Sequence, residues 1–254
     1  MPTADDGLLG RLDALLDLVT RRRCLFLGPG ARLVRADGLL AAEVTGLDPP
    51  PSGPTGTAAS RDLDPSEHPA TDTGGPVGPA VPGRGGEEAV EFLRLLAQAV
   101  GLLRVRGSRV EATALCASWG RLDEGLRAGL VYAAWCHRVP WAVVLGPGAA
   151  VGRLERDRLW VLRLLFGLPA VVDVDVAGLT TTVAERLRLG DADRLTAALA
   201  AAFLDPLVAL GVADLDPPPP QPPRYLRLTA RAQTVIGSAL VAVGEEMPFA
   251  TTPN

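Results

Sequence analysis

The pattern of apolar and polar positions predicts amphipathic helices separated by short β-hairpins. In the first helix, the apolar side chains recur every three or four residues and share one face: Leu8, Leu12, Leu15, Leu16 and Val19. Further helices are predicted at 87–100, 121–138, 151–166, 182–190, 191–210 and 230–243. In the helix at 121–138, Leu126 and Leu130 lie on the face predicted to be buried. A capping box, Thr182 with Glu185, is predicted to open the helix at 182–190.

Strict alternation marks the segment GLLRVRGSRVEAT, residues 101–113. A period of two is typical of a half-buried hairpin. It predicts that Leu103 and Val105 point toward the core, whereas Arg104 and Arg106 point toward solvent.

The hairpin and its flanking helices occur twice. The second copy reads GVADLDPPPPQPPRYLRLT, residues 211–229, and a blurred third copy reads CLFLGPGARLVRADG, residues 24–38. Thr113 and Thr229 end the first two hairpins, and we expect each to cap the helix that follows. A helix followed by a two-stranded hairpin is the second half of a winged-helix domain.

Residues 87–118 and 203–237, and in degenerate form 8–45, resemble actinobacterial tandem winged-helix proteins. The repeats of that group read G-L, a strand, a turn, and then L-x-L-T at the start of the next helix. The resemblance implies a mostly α fold with small β-hairpins (α+β), built from tandem winged-helix-like units. The group has no assigned activity, so the resemblance carries no function with it.

Composition sets one segment apart. Residues 48–86 hold nine prolines and eight glycines in 39 positions, and their apolar side chains are small and scattered. Such a segment buries too little surface to offset the entropy of ordering, so we expect a disordered linker. The predicted division is an N-terminal helix and hairpin, a linker, a central unit, a C-terminal unit and a flexible tail, at 1–47, 48–86, 87–140, 141–244 and 245–254.

Charge and cysteine content narrow the class of protein. The net charge is −4 and the pI about 5.3, so the whole molecule does not attract phosphate at long range. All 25 basic residues are Arg. Three cysteines without C-x-x-C spacing predict reduced thiols in a cytoplasmic protein. The acidic N-terminus predicts no secretion signal, and Asp205-Pro206 interrupts the most apolar window, so no membrane contact is expected.

Arginines near the first hairpin provide a candidate nucleic-acid contact. Arg94 on the preceding helix and Arg104, Arg106 and Arg109 on the hairpin could touch a phosphate backbone. Glutamates dilute this patch. The helix at 191–210 is mainly apolar and acidic, which disfavours DNA contact by the second unit.

A second candidate site is a Gly-rich turn. WAVVLGPGAAVG reads as a strand followed by a G-x-G turn, and AVVDVDV reads as a second strand. Gly146, Gly148 and Gly152 could then approach a pyrophosphate, with Asp173 as the ribose acid. The displaced third glycine and the lack of further alternating β and α units disfavour this interpretation.

Nothing in the sequence predicts a catalytic residue, a metal site or a bound cofactor. Cys136 and His137 are neighbours on one helix, so their side chains point about 100° apart. The sequence favours a non-enzymatic regulatory or assembly module that binds an unknown protein or a second copy of itself. One alternative is a DNA-binding transcription regulator using the arginine hairpin with weak DNA contact. The other is a nucleotide-binding enzyme.

Overall fold

The computed structural model describes residues 7–27, 87–218 and 221–245. It is mostly helical, with two small antiparallel sheets, so the chain belongs to the α+β class. The linker expected at 48–86 and all but the first residue of the tail expected at 245–254 lie outside the described residues.

The first sheet joins the N-terminal segment to the centre of the chain. Its unit comprises α1 (Leu8–Arg22), β1 (Leu25–Phe26), α2 (Glu87–Val100), β2 (Leu103–Arg106) and β3 (Arg109–Ala112). The strand order is β1-β3-β2, with Val110 of β3 opposite both Leu25 and Val105. Segments predicted as separate units therefore share one sheet.

Four helices lead from the first sheet toward the second unit. They are α3 (Ala114–Trp119), α4 (Glu124–Arg138), α5 (Trp141–Val144) and α6 (Ala149–Arg156). The carboxylate of Asp123 caps α4 by accepting a hydrogen bond from the backbone N–H of Leu126.

The second unit repeats the topology of the first. It comprises α7 (Arg158–Phe166), β4 (Asp173–Asp175), α8 (Val176–Leu187), α9 (Ala192–Leu199), a π-helical segment (Ala200–Leu204), α10 (Asp205–Ala209), β5 (Ala213–Asp216), β6 (Tyr225–Leu228) and α11 (Ala232–Glu245). Its strand order is β4-β6-β5. The first strand of each unit thus adds to the second strand of its hairpin.

The sequence predicts that the threonines at the hairpin ends cap the helices that follow, but their side chains do not do so. The Thr113 hydroxyl donates to the Gly101 carbonyl (2.7 Å), and the Thr229 hydroxyl donates to the Val212 carbonyl (3.0 Å). These bonds close the base of each hairpin. α11 begins only at Ala232, three residues after Thr229.

The predicted capping box at Thr182 is also wrong. The helix starts at Val176, because the carboxylate of Asp175 accepts hydrogen bonds from the N–H groups of Ala177 (3.3 Å) and Gly178 (2.8 Å). The Thr182 hydroxyl instead donates to the Gly178 carbonyl within the helix.

The buried face of α4 differs from the predicted one. Leu126 and Leu130 are 44% and 36% exposed, whereas Tyr132 and Trp135 are at most 2% exposed. The larger aromatic side chains remove more surface from water, and their polar atoms find partners in the core. α4 also packs along α11 so closely that a Cβ on Gly129 would lie 3.2 Å from Cβ of Ser238.

One aromatic cluster joins the two units into a single core. Trp135 packs against Phe92 and Trp141, with ring centroids 5.7 and 6.2 Å apart, and Trp141 packs against Phe203 at 4.9 Å. Phe92 belongs to α2 and Phe203 to the π-helical segment. α4 and α5 therefore hold the first unit against the second.

The π-helical segment accepts two hydrogen bonds from side chains of α4. Pro206 supplies no N–H to the helical ladder, and the π turn shifts the ladder by one residue. The acceptors are two backbone carbonyls within the π-helical segment, and the donors are side chains of α4. The indole N–H of Trp135 donates to Ala202 (2.6 Å), and the hydroxyl of Tyr132 donates to Phe203 (3.3 Å).

Asp205 brings a carboxyl group into this buried region. The residue is 5% exposed, and burial raises the pKa of its carboxyl to about 6. The ordinary value, about 3.9, applies in the unfolded chain. The folded state therefore holds the proton more tightly, and its stability falls as the pH rises from about 4 to about 6.

We expect Asp205→Asn to raise the free energy of unfolding by about 2–3 kcal/mol near pH 8, because the neutral amide removes the buried charge. Near pH 4.5 the gain should shrink to about 1 kcal/mol, since the folded carboxyl is then protonated. Urea denaturation at the two pH values measures the difference. Asp193→Asn, at an exposed position of α9, is the control, and an equal gain at both pH values would contradict the assignment.

Candidate functional site

The first hairpin presents arginines to solvent. We define the basic hairpin as residues 103–112, in which Arg104, Arg106 and Arg109 are exposed. Nη2 of Arg104 lies 3.2 Å from Oε2 of Glu111 across the hairpin. The guanidinium of Arg109 lies 5.9 Å from the ring centroid of Phe26 on β1.

Arg94 is not part of this surface. Its residue is 6% exposed, and its guanidinium donates to both carboxylate oxygens of Glu91 and to the side-chain oxygen of Gln98. All three residues lie on α2. The structure therefore separates Arg94 from the hairpin arginines with which the sequence had grouped it.

The second hairpin presents aspartates to solvent. We define the acidic hairpin as residues 213–228, in which Asp214 and Asp216 are exposed. On the neighbouring strand β4, Asp173 accepts two hydrogen bonds from Arg227, at 2.7 and 2.8 Å. Those hydrogen bonds and the positive charge of Arg227 lower the pKa of the Asp173 carboxyl.

The paired strands of the two hairpins match residue for residue but differ in charge. Arg104 stands opposite Glu111 in the first, and Asp214 stands opposite Arg227 at the equivalent place in the second. The strands of the first sheet carry three arginines and one glutamate, a net charge of +2. Those of the second carry four aspartates and one arginine, a net charge of −3. The chain thus displays two sheets of equivalent strand order and opposite net charge.

The helices before the hairpins are largely inaccessible. No residue of α2 from Ala89 to Val100 is exposed. In the second unit, every residue from Ala198 to Leu207 is buried. Both helices contribute to the shared core, so each unit exposes its hairpin more than the helix before it.

The nucleotide-binding alternative finds little support in the local geometry. The segment Trp141–Val144 forms α5, where that alternative expects a strand. Gly146 has a positive φ of 89° and Gly148 precedes α6, so the two glycines form a turn between helices, with Gly152 inside α6. Asp173, the expected ribose acid, is paired with Arg227.

Nucleophilic chemistry is not evident in the part of the chain that is described. Cys136 is fully buried, and burial raises the pKa of its thiol well above the ordinary value. The same cause raises the pKa of the neighbouring Tyr132 hydroxyl. Within the described ranges, no three His, Cys, Asp or Glu side chains are grouped to hold a metal ion. No helix in those ranges is both long and apolar enough to cross a membrane.

No family model, curated protein or solved structure matches the chain. The function must therefore be inferred from the two hairpins and from the burial of the helices that precede them.

Proposed function

We propose that the chain is a tandem winged-helix-like scaffold that acts through protein contacts made by its two hairpins. Two features support the winged-helix interpretation. In the described residues each unit begins with a helix and a strand and continues with helical segments, one in the first unit and several in the second, before its hairpin. In each unit the first strand pairs with the second hairpin strand. The opposite charges on equivalent hairpins suit partners of opposite sign.

The burial of α2 and of the stretch from Ala198 to Leu207 carries this proposal. A winged helix that reads DNA places an exposed, polar recognition helix in the major groove. In the first unit no residue of α2 from Ala89 to Val100 is exposed. In the second unit α9 is exposed only in part, with one aspartate and one arginine, Asp193 and Arg194, and the stretch from Ala198 to Leu207 is buried. The exposed arginines of the basic hairpin are then available for contact with a phosphate backbone.

DNA binding by the basic hairpin is the second candidate function, because its three arginines are exposed. We expect no duplex binding near physiological salt. If the three arginines did contact phosphates, the slope of log affinity against log salt would be about −2.7. The Arg104→Ser, Arg106→Ser, Arg109→Ser triple variant would then flatten it. Fluorescence anisotropy with a labelled duplex measures both, and that slope with that loss would make DNA binding the better proposal.

Affinity capture tests the protein-contact proposal directly. Tagged full-length chain should retain specific proteins from a lysate of its own cell. The arginine triple variant and Asp214→Ser with Asp216→Ser should each lose some of them. Arg121→Ser with Arg163→Ser, at exposed positions outside both hairpins, should lose none. If wild type, the two hairpin variants and the control all captured the same proteins, the hairpins would have no role in binding.

A further inference from the structure

The first strand of each hairpin is the outer strand of its sheet, and its outer edge has no partner among the described strands. Among the described strands, β2 pairs only with β3 and β5 pairs only with β6, so each lies at the margin of its sheet. An edge strand presents a row of free N–H and C=O groups, which is a template for another strand. The question is which strand the two edges fit.

The hydrogen-bond alternation identifies the residues that face outward. The N–H of Thr113 donates to Leu102 (2.9 Å), and the N–H of Thr229 donates to Val212 (3.0 Å). Hydrogen-bonded and non-hydrogen-bonded pairs alternate along an antiparallel ladder. Arg104 and Asp214 lie two residues after Leu102 and Val212, so their backbone N–H and C=O groups point inward, toward β3 and β6 respectively. Val105 and Leu215 direct theirs to the open edge.

We propose that the chain self-associates head to tail, with β2 of one copy adding antiparallel to β5 of a second copy. The two sheets share strand order and register, so their outer edges are equivalent. Two equivalent edges that keep their solvent faces on the same side can meet only in the antiparallel direction. This proposal rests on the proposed function and names the partner as a second copy.

The pairing fixes which side chains meet. With Val105 opposite Leu215, Arg104 faces Asp216 and Arg106 faces Asp214 of the other copy. These charged residues fall in non-hydrogen-bonded pairs, where opposing Cα atoms are only about 4.5 Å apart. The contact also covers Val105, a valine that is 42% exposed in the single chain.

The same charges disfavour pairing between identical edges. Antiparallel addition of β2 to β2 would place Arg104 opposite Arg106, and addition of β5 to β5 would place Asp214 opposite Asp216. Like charges directly opposite each other destabilise a strand pair. The β2 edge is thus complementary to the β5 edge and not to a second β2 edge. Pairing of β2 of one copy with β5 of another gives a six-stranded sheet in the order β1-β3-β2-β5-β6-β4.

Charge reversal tests the pairing on the full-length chain. We expect wild type to associate in sedimentation velocity, with association weakening at least about tenfold between about 50 and 500 mM salt. Arg104→Asp with Arg106→Asp should abolish association, as should Asp214→Arg with Asp216→Arg. An equimolar mixture of the two variants should restore it, because the reversed edges are again complementary.

The control is Arg121→Asp with Arg163→Asp, which makes the same change in net charge at exposed positions outside the hairpins. It should associate like wild type. Thermal melts monitored by circular dichroism confirm that each variant folds. Loss of association in this control, or failure of the mixed variants to associate, would overturn the proposed pairing.

A cross-link tests the register. With Cys24 and Cys116 replaced by Ser, chains carrying Arg104→Cys should form a disulfide with chains carrying Asp216→Cys, since opposing Cα atoms would lie within disulfide reach. Asp193→Cys in place of Asp216→Cys should not cross-link. A wild-type chain that stays monomeric at concentrations on the order of 100 µM overturns self-association. If affinity capture still depends on the hairpins in that case, the proposed function stands without it.

Discussion

Trp135→Ala is expected to lower the free energy of unfolding by about 3–5 kcal/mol, a large part of a domain's stability. The ring is 2% exposed and contacts both Phe92 and Trp141. Its removal leaves a cavity in the cluster that joins the two units. It also leaves the Ala202 carbonyl without the indole donor, in a residue that is fully buried. Urea denaturation followed by far-ultraviolet circular dichroism measures the loss.

Trp135→Phe separates the two contributions. The phenyl ring retains much of the packing but donates no hydrogen bond, so the variant should lose about 1–3 kcal/mol. Trp160→Phe is the matched control, because Trp160 is only partly buried and its side chain contacts Arg186 at the surface. If Trp135→Phe were as stable as wild type, the Ala202 carbonyl would not depend on this donor.

Val110→Asp is expected to unfold the first unit. Val110 is fully buried on the central strand β3, between Leu25 and Val105. A carboxylate there would have no partner in an apolar site, at a cost of about 4–5 kcal/mol or more. Loss of the circular dichroism signal, or a lowered denaturation midpoint, reports the effect.

Val105→Asp is the matched control for that prediction, because Val105 is the cross-strand partner of Val110. Its exposed fraction of 42% lets a carboxylate remain in water, so stability should change by less than about 1 kcal/mol. The alternation in the sequence had placed both valines in the core. Comparable destabilisation by the two variants would contradict the difference in burial.

Local patterns predicted most of the helices and both hairpins, because periodicity of 3.6 or 2 follows directly from local geometry. They failed where tertiary contacts decided the outcome. The alternation of β2 is regular, but the strand extends beyond the core at Val105. On α4, leucines at helical spacing were less informative than Tyr132 and Trp135, whose partners are carbonyls more than 60 residues away.

The candidate site was only partly predictable. The sequence identified the exposed Arg104, Arg106 and Arg109, but it grouped them with Arg94, whose burial depends on Glu91 and Gln98 accepting its hydrogen bonds. The acidic counterpart was overlooked as a site, although aligning GLLRVR with GVADLD shows arginines and aspartates at equivalent positions. Only the strand order shows that the outer edges of β2 and β5 have no partner among the described strands.

The hydrogen bonds to the carbonyls of Ala202 and Phe203 also affect the order in which parts of the chain can fold during synthesis. Their donors, Trp135 and Tyr132, lie on α4 and leave the ribosome well before the π-helical segment is made. The earlier half of the chain is thus available as a template when the later half emerges. A fragment that starts after α4 would have to fold with both carbonyls lacking these donors, so we expect the second unit to reach its native packing only when α4 is present.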